Sequence, residues 1–182
     1  MNKNSSAGFS YVEVMIAVVI LMVGILALLS GISGAIVQSR SQAAQLQAKQ
    51  IAASTMESIM SLKETDPNRL GWITIGNVGR NPDVNGIPRG LFLNGEQPVR
   101  VDAGPDEVLA TADDTGATIP NVTRQIVIRD ECDPDRPSYN CPTPGPENVR
   151  IRTVEVTITY LIGQVRRQEV LTTVLTDYAV AD

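Results

Sequence analysis

Glu13 is the residue whose position most needs a chemical explanation. It stands at the mouth of an apolar run and is the only charge between Lys3 and Arg40. A carboxylate there opposes insertion into a bilayer unless a cation meets it. A cut between Gly8 and Phe9 would supply that cation. The new α-amine would lie four residues upstream of Glu13, one helical turn away. The two groups can meet within one chain or between neighbouring chains, and either meeting lowers the cost of burying both. A negative charge in the first turn also complements the helix dipole.

Two further groups could do chemistry. Cys132 and Cys141 bracket CDPDRPSYNC, with eight residues between them and Pro134 and Pro137 limiting the loop's freedom. Outside the cytoplasm a disulfide is favoured there. Closing so short a loop adds roughly 2–3 kcal/mol on the chain-entropy account. Two reduced, unrelated thiols are the other reading. The stretch VDAGPDEVLATADDTG concentrates Asp102, Asp106, Glu107, Asp113 and Asp114. Calcium takes about 6–8 oxygen ligands, so Asp102, Asp106, Asp113 and Asp114 are a calcium alternative. Their spacing is not that of an EF-hand loop, and solvated acids in turns are the plainer account. No metal or other cofactor is otherwise expected.

The composition removes most catalytic chemistry. There is no histidine, which excludes His-based triads, His general bases and His-ligated zinc. No GxSxG, P-loop or GxGxxG occurs. The chain is not expected to be an enzyme. Its net charge of −5 argues against general binding to phosphate backbones.

The element that must position Glu13 is the run that follows it. Val14 to Val37 is 24 residues without a charge. As a helix it reaches roughly 36 Å, enough to cross about 30 Å of hydrocarbon with some tilt. It is too long for the core of a cleaved secretory signal. The small residues Ser5, Ser6, Ala7 and Gly8 precede it, so a cut at Gly8/Phe9 removes a polar leader and keeps the anchor. Lys3 places that leader on the cytoplasmic side.

GFSYVEVMIA resembles the processing site of type IV prepilins: Gly, an aromatic residue, Glu four positions on, then a long apolar helix. Gly8, Phe9 and Glu13 match that pattern. The resemblance covers roughly the first 35 residues. It implies cleavage between Gly8 and Phe9 by a prepilin peptidase, N-methylation of Phe9, and a role for Glu13 in aligning subunits during assembly. It further implies an inner-membrane single-pass protein with a periplasmic C-terminal domain. Such a protein passes into a pilus on the cell surface, with other pilins and the pilus assembly machinery as partners. Glu13-Val14-Met15-Ile16-Ala17 and the helix after it are most similar to PilV-type minor pilins, which help initiate or modify assembly. Minor pseudopilins of type II secretion are also similar. A membrane-tethered periplasmic binding domain is the reading from another class.

Beyond Arg40 the helical period continues. Ala44, Ala48, Ile51, Ala52, Thr55, Ile59 and Leu62 recur at spacings of three and four, with Arg40, Gln45, Lys49, Gln50 and Glu57 opposite. No proline interrupts residues 9–66, and Asp66-Pro67 is a stop. The spacing predicts one helix of about 55 residues whose second half packs on the following sheet. Gly24, Gly31 and Gly34 weaken its first half; local melting on assembly and close helix contact are both open.

Residues 67–120 read as loop-rich, with short strands at Trp72–Ile75 and Gln97–Val101. TRQIVIR and VRIRTVEVTITYLI alternate as strands, with Val154, Val156, Ile158 and Tyr160 on one face. Gly163-Gln164 can turn the chain into VRRQEVLTTVLTDY. Asn121-Val122-Thr123 fits a glycosylation sequon but opens a strand. The expected fold is α+β and pilin-like: a long N-terminal helix, membrane-spanning in its first half, packed on a C-terminal antiparallel sheet. Its segments are a leader over 1–8, a spanning helix over 9–39, an amphipathic helix over 40–66 and a loop-and-sheet domain over 67–182.

Overall fold

A computed structural model describes residues 10–65, 70–83, 85–131 and 151–177. The chain divides into two compact units, Met1–Ala43 and Ala44–Asp182.

The first unit holds the start of helix α1, which runs Tyr11–Thr65 over 55 residues. Ser10 opens it, its carbonyl accepting from the amides of Glu13 and Val14 at 3.0 and 3.2 Å. Residues 10–40 are all exposed. The mean hydropathy of the most apolar 18-residue window is 3.0, and the helix is long and apolar enough to cross a membrane. Helix continues through Gly24, Gly31 and Gly34, and a Cβ on any of them would meet open space.

In the second unit α1 becomes amphipathic, as the three-and-four spacing requires. Ala48, Ala52, Thr55 and Ile59 are buried, Ala44, Ile51 and Leu62 are half-buried, and Gln45, Lys49, Gln50 and Glu57 are exposed. Met56 joins the buried stripe. Ile59 and Thr55 have no exposed surface.

The stripe's partner is a four-stranded antiparallel sheet in the order β1-β2-β3-β4: β1 Gln97–Asp102, β2 Thr115–Glu131, β3 Ile151–Ile162 and β4 Val165–Thr176. Its inner face is set by alternation along β3, where Arg152, Val154, Val156, Ile158 and Tyr160 are buried at every second position. Val122, Arg124 and Ile126 of β2 are buried in the same way. Pairing of β3 with β4 is unbroken from Ile151↔Thr176 to Ile162↔Val165. Gly163 holds a positive φ of 62° at the two-residue connection, which matches the turn chemistry that a tight hairpin needs. The β1–β2 ladder, by contrast, shifts register between Pro98 and Arg100 and again before Asp102.

Two expectations are corrected. Trp72–Ile75 is not a strand: a short helix, α2, occupies Leu70–Thr74. Helical spacing places Trp72 and Ile75 together in the core, and the Asn81 amide donates to the carbonyls of Ile73 and Ile75 at 2.9 and 3.0 Å. Those carbonyls would otherwise have needed a neighbouring strand. Packing thus overrides the β-preference of the sequence WITI. Strand β2 also begins earlier than TRQIVIR suggests. Its first residues, which read as a loop, pair with β1 across the register shifts, with Gly116 and Asn121 at positive φ.

Candidate functional site

The start of α1 is the first candidate. Glu13 lies in the first turn, exposed, with Ala17 and Leu21 following on its line at four-residue intervals and Val14 and Val18 beside them. The helix therefore presents one carboxylate at the head of an otherwise apolar surface. Gly8 and Phe9, the expected cleavage and methylation positions, lie outside the described residues, so no geometry for an amine–Glu13 pair is stated. Cys132 and Cys141 also lie outside them.

The acidic loop between β1 and β2 is the second candidate. Its carboxylates are used mainly by the loop's own backbone. Asp106 accepts from the Val108 amide at 2.8 Å. Asp113 accepts from the Thr111 hydroxyl at 2.5 Å and from the Asp106 amide at 3.2 Å. Those hydrogen bonds, the Thr111 hydroxyl first, hold the Asp113 carboxyl below the usual range. Asp114 accepts from the amides of Ala110 and Thr111 at 3.0 and 3.2 Å. Asp102 lies apart on β1, beside Gly116. Among the described residues no three potential metal ligands converge.

Asp114 makes one more bond, to Arg124 of β2 at 2.8 Å. The guanidinium also donates to Thr55 of α1 at 3.2 Å, so one buried cation ties helix, strand and loop. Burial pushes the Arg124 pKa down and Asp114 pulls it back. A second buried cation, Arg152 of β3, donates to Asp130 at 2.8 Å and to the Trp72 carbonyl, and its guanidinium lies 4.4 Å from the Trp72 ring centre. Sequence reasoning missed both arginines. The signal was present: each shares the parity of its strand's apolar residues, Arg124 with Val122 and Ile126, Arg152 with Val154 and Val156.

A groove of about 900 Å³ opens beside α1, α2, the end of β1 and the acidic loop. Leu62, Val101 and Leu109 contribute apolar lining, and Glu57, Asp102, Asp106 and Glu107 contribute carboxylates. Among the described residues no basic side chain lines it.

No family model, curated protein or solved structure matches the chain.

Proposed function

We propose that this protein is a minor pilin, made in the inner membrane as a single-pass precursor and drawn into a type IV pilus. Prepilin peptidase removes residues 1–8, and Phe9 becomes the methylated N-terminus. The globular part stands in the periplasm until the subunit enters the filament. The observation that carries this reading is the exposed, unbroken helix with Glu13 in its first turn, directly after Gly8-Phe9 in the sequence. An apolar surface of that length needs either lipid or neighbouring helices. Glu13 in turn needs a cation once water is excluded. An amine at Phe9 of the same or an adjacent subunit meets that need.

A minor pseudopilin of type II secretion uses the same helix and the same cut. Filament preparations from pilus-defective and secretion-defective cells separate the two readings.

The test is the intact mass and N-terminal residue of membrane-extracted protein, with and without active prepilin peptidase. The expected result is a chain starting at methylated Phe9 only when the peptidase is present. A chain starting at Met1 in both samples overturns the reading and leaves a tethered periplasmic binding domain as the alternative.

A further inference from the structure

We propose that the groove beside α1 receives the β3–β4 hairpin tip of a second copy of this chain. The argument concerns the Ala44–Asp182 unit and stands apart from the pilus reading.

The groove combines an apolar lining with unbalanced charge. Glu57, Asp102 and Glu107 line it and make no ion pair among the described residues. Like charges around one depression repel one another, and the low-dielectric wall strengthens their field. A cation carried on an apolar stem answers both features.

The hairpin tip has that composition. Arg166-Arg167 is the only adjacent basic pair in the chain. Arg167 is exposed and makes no ion pair among the described residues, and Arg166 is held only by exposed Glu96. Beside them Val165 and Leu161 are 55% and 43% exposed. Gly163 keeps the turn narrow, and a Cβ there would meet nothing within 4 Å. The tip is thus a slim, basic projection with apolar flanks.

The two features lie on opposite edges of the sheet. The groove involves Val101 and Asp102 of edge strand β1, while Arg166 and Arg167 belong to the other edge strand, β4. Within the chain Arg166 reaches Glu96, just before β1, but among the described residues neither arginine pairs with a groove carboxylate, so one copy's tip is assigned to another copy's groove. Such a contact is heterologous: each copy gives a tip and receives one, and the row need not close. The charge pairing sets orientation and partner choice more than raw affinity.

The test is sedimentation of the full chain in a zwitterionic detergent, at about 50 mM and about 500 mM salt. The wild type is expected to self-associate with concentration, more weakly at the higher salt. Arg167→Glu and the pair Glu57→Lys/Glu107→Lys each alter exposed side chains, so the fold is retained, as circular dichroism will verify. Each is expected to weaken association by roughly tenfold. Mixing the two variant proteins should restore association, because the Arg167 tip of one meets the unchanged groove of the other, and combining all three changes in one chain should restore it through swapped charges. A monomeric wild type, association indifferent to Arg167→Glu, or failure of the combined chain to recover would each overturn the proposal. Association through the apolar helix alone is seen as salt- and charge-independent, and a basic partner of another kind as a monomeric wild type.

Discussion

Arg124 and Asp114 form an ion pair at 2.8 Å whose side chains keep 2% and 7% of their surface exposed. Asp114 also binds the amides of Ala110 and Thr111, and Ala110 has a positive φ of 76°. A residue with a Cβ enters that region at a cost of roughly 1–3 kcal/mol. The carboxylate offsets it by satisfying the amides that this backbone exposes. Removing Asp114 alone leaves a buried guanidinium without its counter-charge. Asp114→Ala is expected to cost about 3–5 kcal/mol. The double change Asp114→Leu/Arg124→Met should cost less than Asp114→Ala, because no charge is then stranded. Urea unfolding of the three proteins checks the order.

The amphipathic half of α1 gives a sharper contrast between neighbours. Ile59 has no exposed surface and Met60 is 43% exposed. Ile59→Ala is expected to lower stability by about 2–5 kcal/mol through a cavity, and Met60→Ala by about 0.5 kcal/mol or less. Thermal and urea midpoints of the two variants test which face of the helix is inside.

Trp72 is the only tryptophan, so its fluorescence reports on one place. Arg152 covers its ring at 4.4 Å and bonds its carbonyl. Arg152→Leu is expected to shift the emission and destabilise the domain, since Asp130 loses its partner and the Trp72 carbonyl its donor. Trp72→Phe should be milder than Trp72→Ala, which loses about 3–5 kcal/mol. Unchanged emission in Arg152→Leu would contradict the stacking.

Acid should loosen the loop around Asp83. Its carboxyl is held below the usual range, first by the Ile87 amide and then by Arg89, which it meets at 2.6 Å. A depressed folded pKa means that the unfolded chain binds the proton more readily. The stabilisation is therefore present above the unfolded value of about 3.9 and is lost as pH falls through the lower folded value. Asp113 adds to the same trend. Stability measured from pH 5 down to pH 2 should fall, and Asp83→Asn should flatten part of that fall.

On the minor-pilin proposal, Glu13→Ala is expected to leave cleavage after Gly8 mostly intact and to reduce the share of protein found in filaments. Mass spectrometry of the N-terminus and quantification of sheared filaments measure the two effects separately. Normal incorporation would remove the account of Glu13 as the partner of a new amine.

Much of the scaffold was legible from local pattern. Ala48, Ala52, Thr55 and Ile59 recur at the helical period, and Val154, Val156 and Ile158 at the strand period. A residue's side of its element follows from that spacing alone. That Glu13 stands in the first turn of a long chargeless helix was legible in the same way, from the unbroken apolar run after it. Non-local partners were not legible. WITI became a helix because Asn81 caps its carbonyls and the core takes Trp72 and Ile75 together. The acids of the 102–114 stretch read as solvated acids in turns, with calcium ligands as the alternative. Only the fold shows Asp114 spent on Arg124 and on its own loop. The sequence by itself determined the periods, the long apolar helix and the strands β3 and β4. Tertiary structure decided which charges are buried and what pairs with them. A burial penalty depends on which distant residues enclose a group, and spacing along the chain does not record that.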